Sequence, residues 1–152
     1  FQCLCDDPRI EFVNGGKERQ DSVFAGLQHV HEKIVLIHDG ARPYLKSQYI
    51  NALLTSLKEH KASLLMVPCK DTIKKVVNGK VVETLKREEL MQAQTPQAFH
   101  TDVILEAYTK AIAQGFQATD DAQMVEHFSQ EDVYAILGDY ENKKITTVED
   151  LS

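Results

Sequence analysis

Two continuous apolar runs, Lys33 to Ile37 and Ala62 to Val67, constrain this chain more than any other feature. Each is short and bounded by turn residues, and each neighbours a segment of helical period, which suits strands buried on both faces of a sheet. The same alternation extends outward. Ile10 to Val13 reads as a short strand broken by Asn14-Gly15-Gly16, and Val23, Leu27 and Val30 mark one face of a helix over about Asp21 to His29. Lys33 to Ile37 leads through the loop His38 to Pro43 into a helix from about Ser47 to His60. Repeated βα units of this kind predict the α/β class with a largely parallel sheet.

After the run ending at Val67 the pattern changes in kind. Thr72 to Val77 and Lys80 to Thr84 are rich in β-formers and flank Asn78-Gly79, the strongest short-range hairpin signal, because both turn residues must accept positive φ. An arm over residues 71–87 is therefore expected to leave the sheet. A lone two-stranded hairpin is marginal in water, so it should pack on its own domain or on a second subunit. Beyond Thr95-Pro96-Gln97 a helix from about Asp102 to Gln114 carries Ile104, Leu105, Tyr108 and Ile112 on one face and stops at Gly115. Asp120 and Asp121 open another short helix, Val133 to Leu137 is a last strand, and Thr146 with Glu149 resembles a capping box.

At 152 residues the chain is the size of one domain, 1–152, able to bury about two-thirds of its unfolded surface. No apolar run approaches the roughly 20 residues of a membrane span. A net charge of −6 provides no basic stripe for nucleic acid, so a small anionic substrate held by a few local cations is the better fit. Cys3, Cys5 and Cys69 match no zinc or redox spacing, and a reducing cytoplasm is the simplest setting for them. Cys3 and Cys5 would share one strand face as packing residues. The chain opens on Phe1 in sequence that already looks structured, so a preceding segment is expected.

His38-Asp39-Gly40-Ala41-Arg42-Pro43 follows a buried strand and so falls at the carboxyl end of the sheet, where open α/β folds bind ligands. A carboxylate there can meet a hydrated magnesium ion carrying phosphates, and Arg42 offers a planar fork of donors to phosphate; a solvated Asp39–Arg42 pair is the plainer alternative. Gly15-Gly16 suits backbone brought close to an anion at a helix start, or simply a tight turn. Ser22 either bonds a nucleotide or caps the helix. Asp120 and Asp121 suit acid/base work or metal binding, and equally a helix dipole; Lys143-Lys144 suits phosphate, and equally a solvated surface. No metalloprotease helix and no serine-hydrolase elbow is present.

Read in order, six segments resemble the 2-C-methyl-D-erythritol 4-phosphate cytidylyltransferases of non-mevalonate isoprenoid synthesis. They are Gly15 to Val23, His38 to Pro43, Val67 to Lys74, Gln94 to Gln97, Thr119 to Ala122 and Asn142 to Thr146. The resemblance implies a Rossmann-like nucleotidyltransferase sheet with a projecting β-hairpin arm, and a homodimer in which each arm embraces its neighbour. It implies that Gly16, Ser22, Asp39, Gly40 and Thr95 line a CTP site, with Asp39 near magnesium as the metal residue. Arg42, Thr119 and Lys144 would hold the sugar-alcohol phosphate, with Asp39, Arg42 and Lys144 as the catalytic set. Thr72 and Arg87 would reach the other subunit's substrate. A phosphate oxygen would attack the α-phosphorus of CTP and displace pyrophosphate, so alignment and charge neutralisation would suffice without a general base.

Two departures from that family stand out. Its first βα unit, with a glycine-rich loop around the triphosphate, is missing from this sequence, so the fragment alone is expected to be inactive or nearly so. Lys17 and Glu141 also replace residue types common in relatives. Ribitol-5-phosphate cytidylyltransferase is the nearest rival, against which Gly40-Ala41 and Asp71 to Lys74 speak. A non-catalytic α/β dimerisation module is the alternative from a different class.

Overall fold

The computed structural model describes residues 6–151. Its helices are α1 (Arg19–Leu27), α2 (Ser47–Ser56), α3 (Thr101–Ala113) and α4 (Asp121–Phe128). Its strands are β1 (Ile34–Ile37), β2 (Ala62–Pro68), β3 (Lys74–Val77), β4 (Lys80–Thr84), β5 (Met91–His100) and β6 (Val133–Leu137). The main sheet has the order β1-β5-β2-β6. β1, β2 and β6 share one direction; β5 runs against them from between β1 and β2, so only the β2–β6 ladder is parallel. The α/β class holds, with a mixed sheet in place of a largely parallel one; β2 is buried as expected, but β1, expected to be buried on both faces, is half-buried because it has a neighbour on one side only among the described strands.

Alternating side chains of the strands feed two cores, as the two-residue period of a strand requires. Leu64 and Phe99 face α1, α3 and α4, where Ile104, Tyr108, Met124 and Val125 are buried. Leu65 and Ala98 face α2 and meet Leu53 on that helix and Leu57 just past its end. On α3 the buried stripe is Ile104, Ala107, Tyr108 and Ala111, so Ile112, expected inside, is exposed. The helix stops, as expected, where Gly115 turns to φ +64°. α2 ends at Ser56, short of the predicted His60, because its last turn tightens through i to i+3 bonds such as Lys58 N–H to Thr55 O.

β5 is the strand that the sequence reading passes over. Its ten residues carry five polar side chains, Gln92, Gln94, Thr95, Gln97 and His100, and a proline, yet it lies inside the sheet between β1 and β2. The ladder to β2 shifts register between Leu64, opposite Gln97, and Met66, opposite Ala93, and this irregularity accommodates Pro96, which has no N–H to give. Conversely, Ile10 to Val13 forms no strand: it has no neighbouring strand to pair with among the described residues, and Ile10, Phe12 and Val13 are exposed. Cys3 and Cys5 lie outside the described residues.

The arm is a separate two-stranded sheet with Asn78 at φ 50° and Gly79 at φ 76°, both positive as the turn demands. Leu85 N–H donates to Ile73 O and Cys69 N–H to Leu90 O, closing its base. At the other end of the sequence the expected helix is a 3-10 turn over Val148–Leu151. Its capping carboxylate is Asp150, not Glu149: Asp150 Oδ2 accepts from the backbone N–H groups of Thr146 at 2.8 Å and Thr147 at 2.9 Å. Among the described residues, no helix is long and apolar enough to cross a membrane.

Candidate active site at the end of β1

β1 delivers the chain into His38 to Pro43, and β5 lies alongside because Ile37 pairs with Gln97. Thr95 therefore stands beside the start of the loop and organises it. The backbone N–H of Asp39 donates to Thr95 Oγ1 at 3.0 Å, and the same hydroxyl is 2.9 Å from His38 Nδ1. His38 Nε2 lies 2.9 Å from the carbonyl of Arg42, which can only accept. That puts a proton on Nε2, and in the tautomer carrying that single proton Nδ1 accepts from the threonine hydroxyl.

Asp39 is the focus of charge. Its Oδ1 accepts from Arg19 Nη2 at 3.1 Å and Nε at 3.2 Å; its Oδ2 lies 3.2 Å from Lys144 Nζ and 3.9 Å from Arg42 Nε. Burial alone would push the Asp39 carboxyl up, but the charges and hydrogen bonds of Arg19 and Lys144 outweigh it and hold the group below the ordinary aspartate value. Burial likewise pulls Arg42 down, against the opposing effect of Asp39. Arg42 Nη1 donates to the carbonyl of Asn142 at 2.7 Å, while its Nε is buried without a hydrogen-bond partner.

The segment after β6 brings Lys144 to this point. Gly138 N–H donates to Met66 O, Gln94 Nε2 to Asp139 O, Asn142 Nδ2 to Thr95 O, and Ile145 N–H to Ala41 O. Asp139 also accepts from Tyr49 and Lys46 of the α2 region, so the segment is fastened at both ends.

Arg19 opens α1 and joins two carboxylates from distant parts of the chain. Besides Asp39, it grips Asp121 with Nη1 on Oδ1 at 3.1 Å and Nη2 on Oδ2 at 2.9 Å. Asp121 is 0% exposed and also accepts from the hydroxyl of Tyr108. The hydrogen bonds to Asp121, opposed by burial, raise the Arg19 guanidinium further above its already high value. Arg19 is not among the residues that the sequence alone points to as functional. The available signal is a cation in the first turn of a helix, where the dipole disfavours it unless a carboxylate is near.

The other predicted residues fall into four groups. Ser22, Asp39, Gly40 and Lys144 line one open cleft with Arg19, Val23, Ile37, His38 and Ala41. Ser22 is not the helix cap: its Oγ accepts from Gly16 N–H at 3.0 Å, and the backbone N–H of Glu18, at the cap position, is taken by Asp21. Thr119 lines an adjoining hollow shared through Arg19, with its hydroxyl on Gln123. Asp120 and Asp121 have structural partners: Asp120 caps α4 through Gln123 N–H and accepts from the buried Gln97, while Asp121 is the Arg19 anchor. Thr72 and Arg87 stay on the arm and line neither space; Arg87 donates to Lys70 O at its base.

The family model for IspD, 2-C-methyl-D-erythritol 4-phosphate cytidylyltransferase, matches residues 1–152. The chain is 49% identical over 143 residues to the enzyme of that name from Bacillus licheniformis, covering 93% of this chain and 62% of that protein. It is 50% identical over 143 residues to the one from Bacillus cytotoxicus, covering 93% of this chain and 63% of that protein. The chain thus spans less than two thirds of these relatives' length. A crystal structure of 4-diphosphocytidyl-2C-methyl-D-erythritol synthase from Anaerococcus prevotii superposes with a TM-score of 0.88 at 36% identity, over 93% of this chain and 67% of that one. By this match along its whole length, the chain belongs to the 2-C-methyl-D-erythritol 4-phosphate cytidylyltransferase family.

Proposed function

We propose that the gene's full product is a cytoplasmic, magnesium-dependent homodimer that joins CTP to 2-C-methyl-D-erythritol 4-phosphate and releases pyrophosphate. The observation that carries the reading is the convergence of Arg19, Arg42 and Lys144 on Asp39 at the mouth of an open cleft at the end of β1. Gly16, Ser22, Gly40 and Thr95 are the residues assigned to the nucleotide, and Arg42, Thr119 and Lys144 those assigned to the second phosphate. Thr72 and Arg87, which do not line the Asp39 cleft, are assigned to the partner's substrate, and the exposed Val76, Val77, Val81 and Val82 support an arm that docks on a second subunit.

A magnesium ion fits this donor set if it arrives with the nucleotide. No group of three or more ligating side chains occurs among the described residues, but such ions take one or two carboxylates and fill their shell with phosphate oxygens and water. Asp39 would be that carboxylate. When bound, the ion would supply neutralisation of the charge on the departing pyrophosphate. Arg42 and Lys144 would hold the attacking phosphate, already ionised at neutral pH, in line with the α-phosphorus, and no side chain needs to take a proton.

Pyrophosphate release from CTP with magnesium, offered methylerythritol phosphate and ribitol phosphate separately, tests this in the gene's full product with the 152-residue chain alongside. Turnover of the first substrate alone, abolished by Asp39→Ala or Arg42→Ala, is expected. Preference for ribitol phosphate, or turnover of neither, would sink the reading.

A further inference from the structure

Resting on that reading, we infer that Arg19 is a positioning residue for the reaction: fixed on the buried Asp121, it holds Asp39 by Oδ1 and leaves Oδ2 as the oxygen that exchanges partners. The two cations bonded to Asp39 are held in different ways. Arg19 is clamped at its far side by a carboxylate that is 0% exposed and that has Tyr108 as its other partner, so withdrawing it would leave a charge buried alone. Lys144, with a side chain 47% exposed, has Asp39 Oδ2 at 3.2 Å as its ion-pair partner. A phosphate or a metal ion entering the cleft would therefore displace Lys144 from Oδ2, and Arg19 would stay.

The planar fork of arginine makes this division possible. Nη1 and Nη2 grip Asp121 while Nη2 and Nε face Asp39, which a lysine could not do from one ammonium. Arg19 would then fix, from within the lining of the same cleft, the direction of the one carboxylate assigned to magnesium.

The test uses Arg19→Gln/Asp121→Asn in the gene's full product, which removes both charges of the buried pair and so leaves none unpaired. Arg19→Lys, which keeps the buried charge matched, is the second variant should the first fail to fold. In either, half-saturating magnesium is expected to rise about tenfold and kcat to fall about tenfold or more, the scale of groups that orient a metal ligand. The loss of magnesium–CTP affinity by calorimetry should exceed any loss of CTP affinity without magnesium, and it should not deepen when Asp39→Asn is added. A magnesium requirement and kcat within about twofold of wild type, or a loss that adds in full to that of Asp39→Asn, would overturn the inference. A wild type that turns over neither substrate sinks the proposed function instead, while the calorimetric comparison still decides the link between Arg19 and Asp39.

Discussion

Arg42 donates from Nη1 to the backbone carbonyl of Asn142 at 2.7 Å, across 100 residues of sequence. The loop after β1 and the segment after β6 are thereby one unit, and Asn142 is its inner fastening: it is 1% exposed, with Nδ2 on Thr95 O at 2.8 Å and Gln94 Oε1 at 3.3 Å. Asn142→Ala strips these bonds and leaves the Thr95 carbonyl without this donor, at a cost of about 1–3 kcal/mol. Urea denaturation should show that loss, and turnover should fall because Lys144 loses its fixed approach to Asp39.

Gly16 has no room for a side chain. A Cβ built there would lie 2.3 Å from Asp21 Cβ and 3.2 Å from its backbone carbon, so the start of α1 would have to shift. Gly16→Ala should weaken CTP binding by calorimetry and lower stability by about 1–3 kcal/mol, the usual result of overpacking.

The Tyr108 hydroxyl bonds the buried carboxylate of Asp121. Burial first, then the neighbouring charge of Asp121, pushes the phenol above its ordinary value, so it remains a donor throughout the accessible pH range. Tyr108→Phe removes a hydrogen bond to a charged group, worth about 1.5–3 kcal/mol, and should lower the denaturation midpoint without changing the overall fold as seen by circular dichroism.

Asp150 titrates at about 2, held down first by the backbone N–H of Thr146, then by that of Thr147 and the Thr146 hydroxyl. A depressed carboxyl contributes its stabilisation above the unfolded value, about 3.9, and loses it as pH falls through the folded value. The amides of Thr146 and Thr147 should therefore be protected at neutral pH and lose protection between about pH 4 and 2, while Asp150→Asn should abolish that dependence. Carboxyl NMR titration with amide exchange reads both.

On the arm, Val76 pairs with Val81 and both are more than half exposed. Val81→Asp should leave monomer stability within about 0.5 kcal/mol, as for other surface changes, yet shift sedimentation toward the monomer. An unchanged mass would separate the arm from any subunit contact.

What the sequence made legible was local. β1 and β2 show as apolar runs, the arm shows through Asn78-Gly79, and Asp39 and Arg42 stand out because they follow an apolar strand, even though β1 is half-buried at the edge of the described sheet. β5 does not show, because Gln94, Thr95 and Gln97 are buried on the strength of partners far along the chain: Asp139 O for Gln94, the Asp39 N–H for Thr95, and Asp120 and the Ala122 N–H for Gln97. Arg19 is hidden for the same reason, its anchor lying 102 residues away. Ile10 to Val13 fails in the opposite sense, since alternation states a preference for pairing but cannot provide the neighbour.

β5 begins one residue beyond Leu90, where the base of the arm closes onto Cys69, and reaches Thr95 four residues further on, roughly 13 Å along an extended strand. Arm and loop hydroxyl are thus mechanically in series. A pull on the arm along this axis loads β5 in tension, its stiffest direction, and arrives at the Thr95 side chain before it reaches the layer of Ala98 and Phe99.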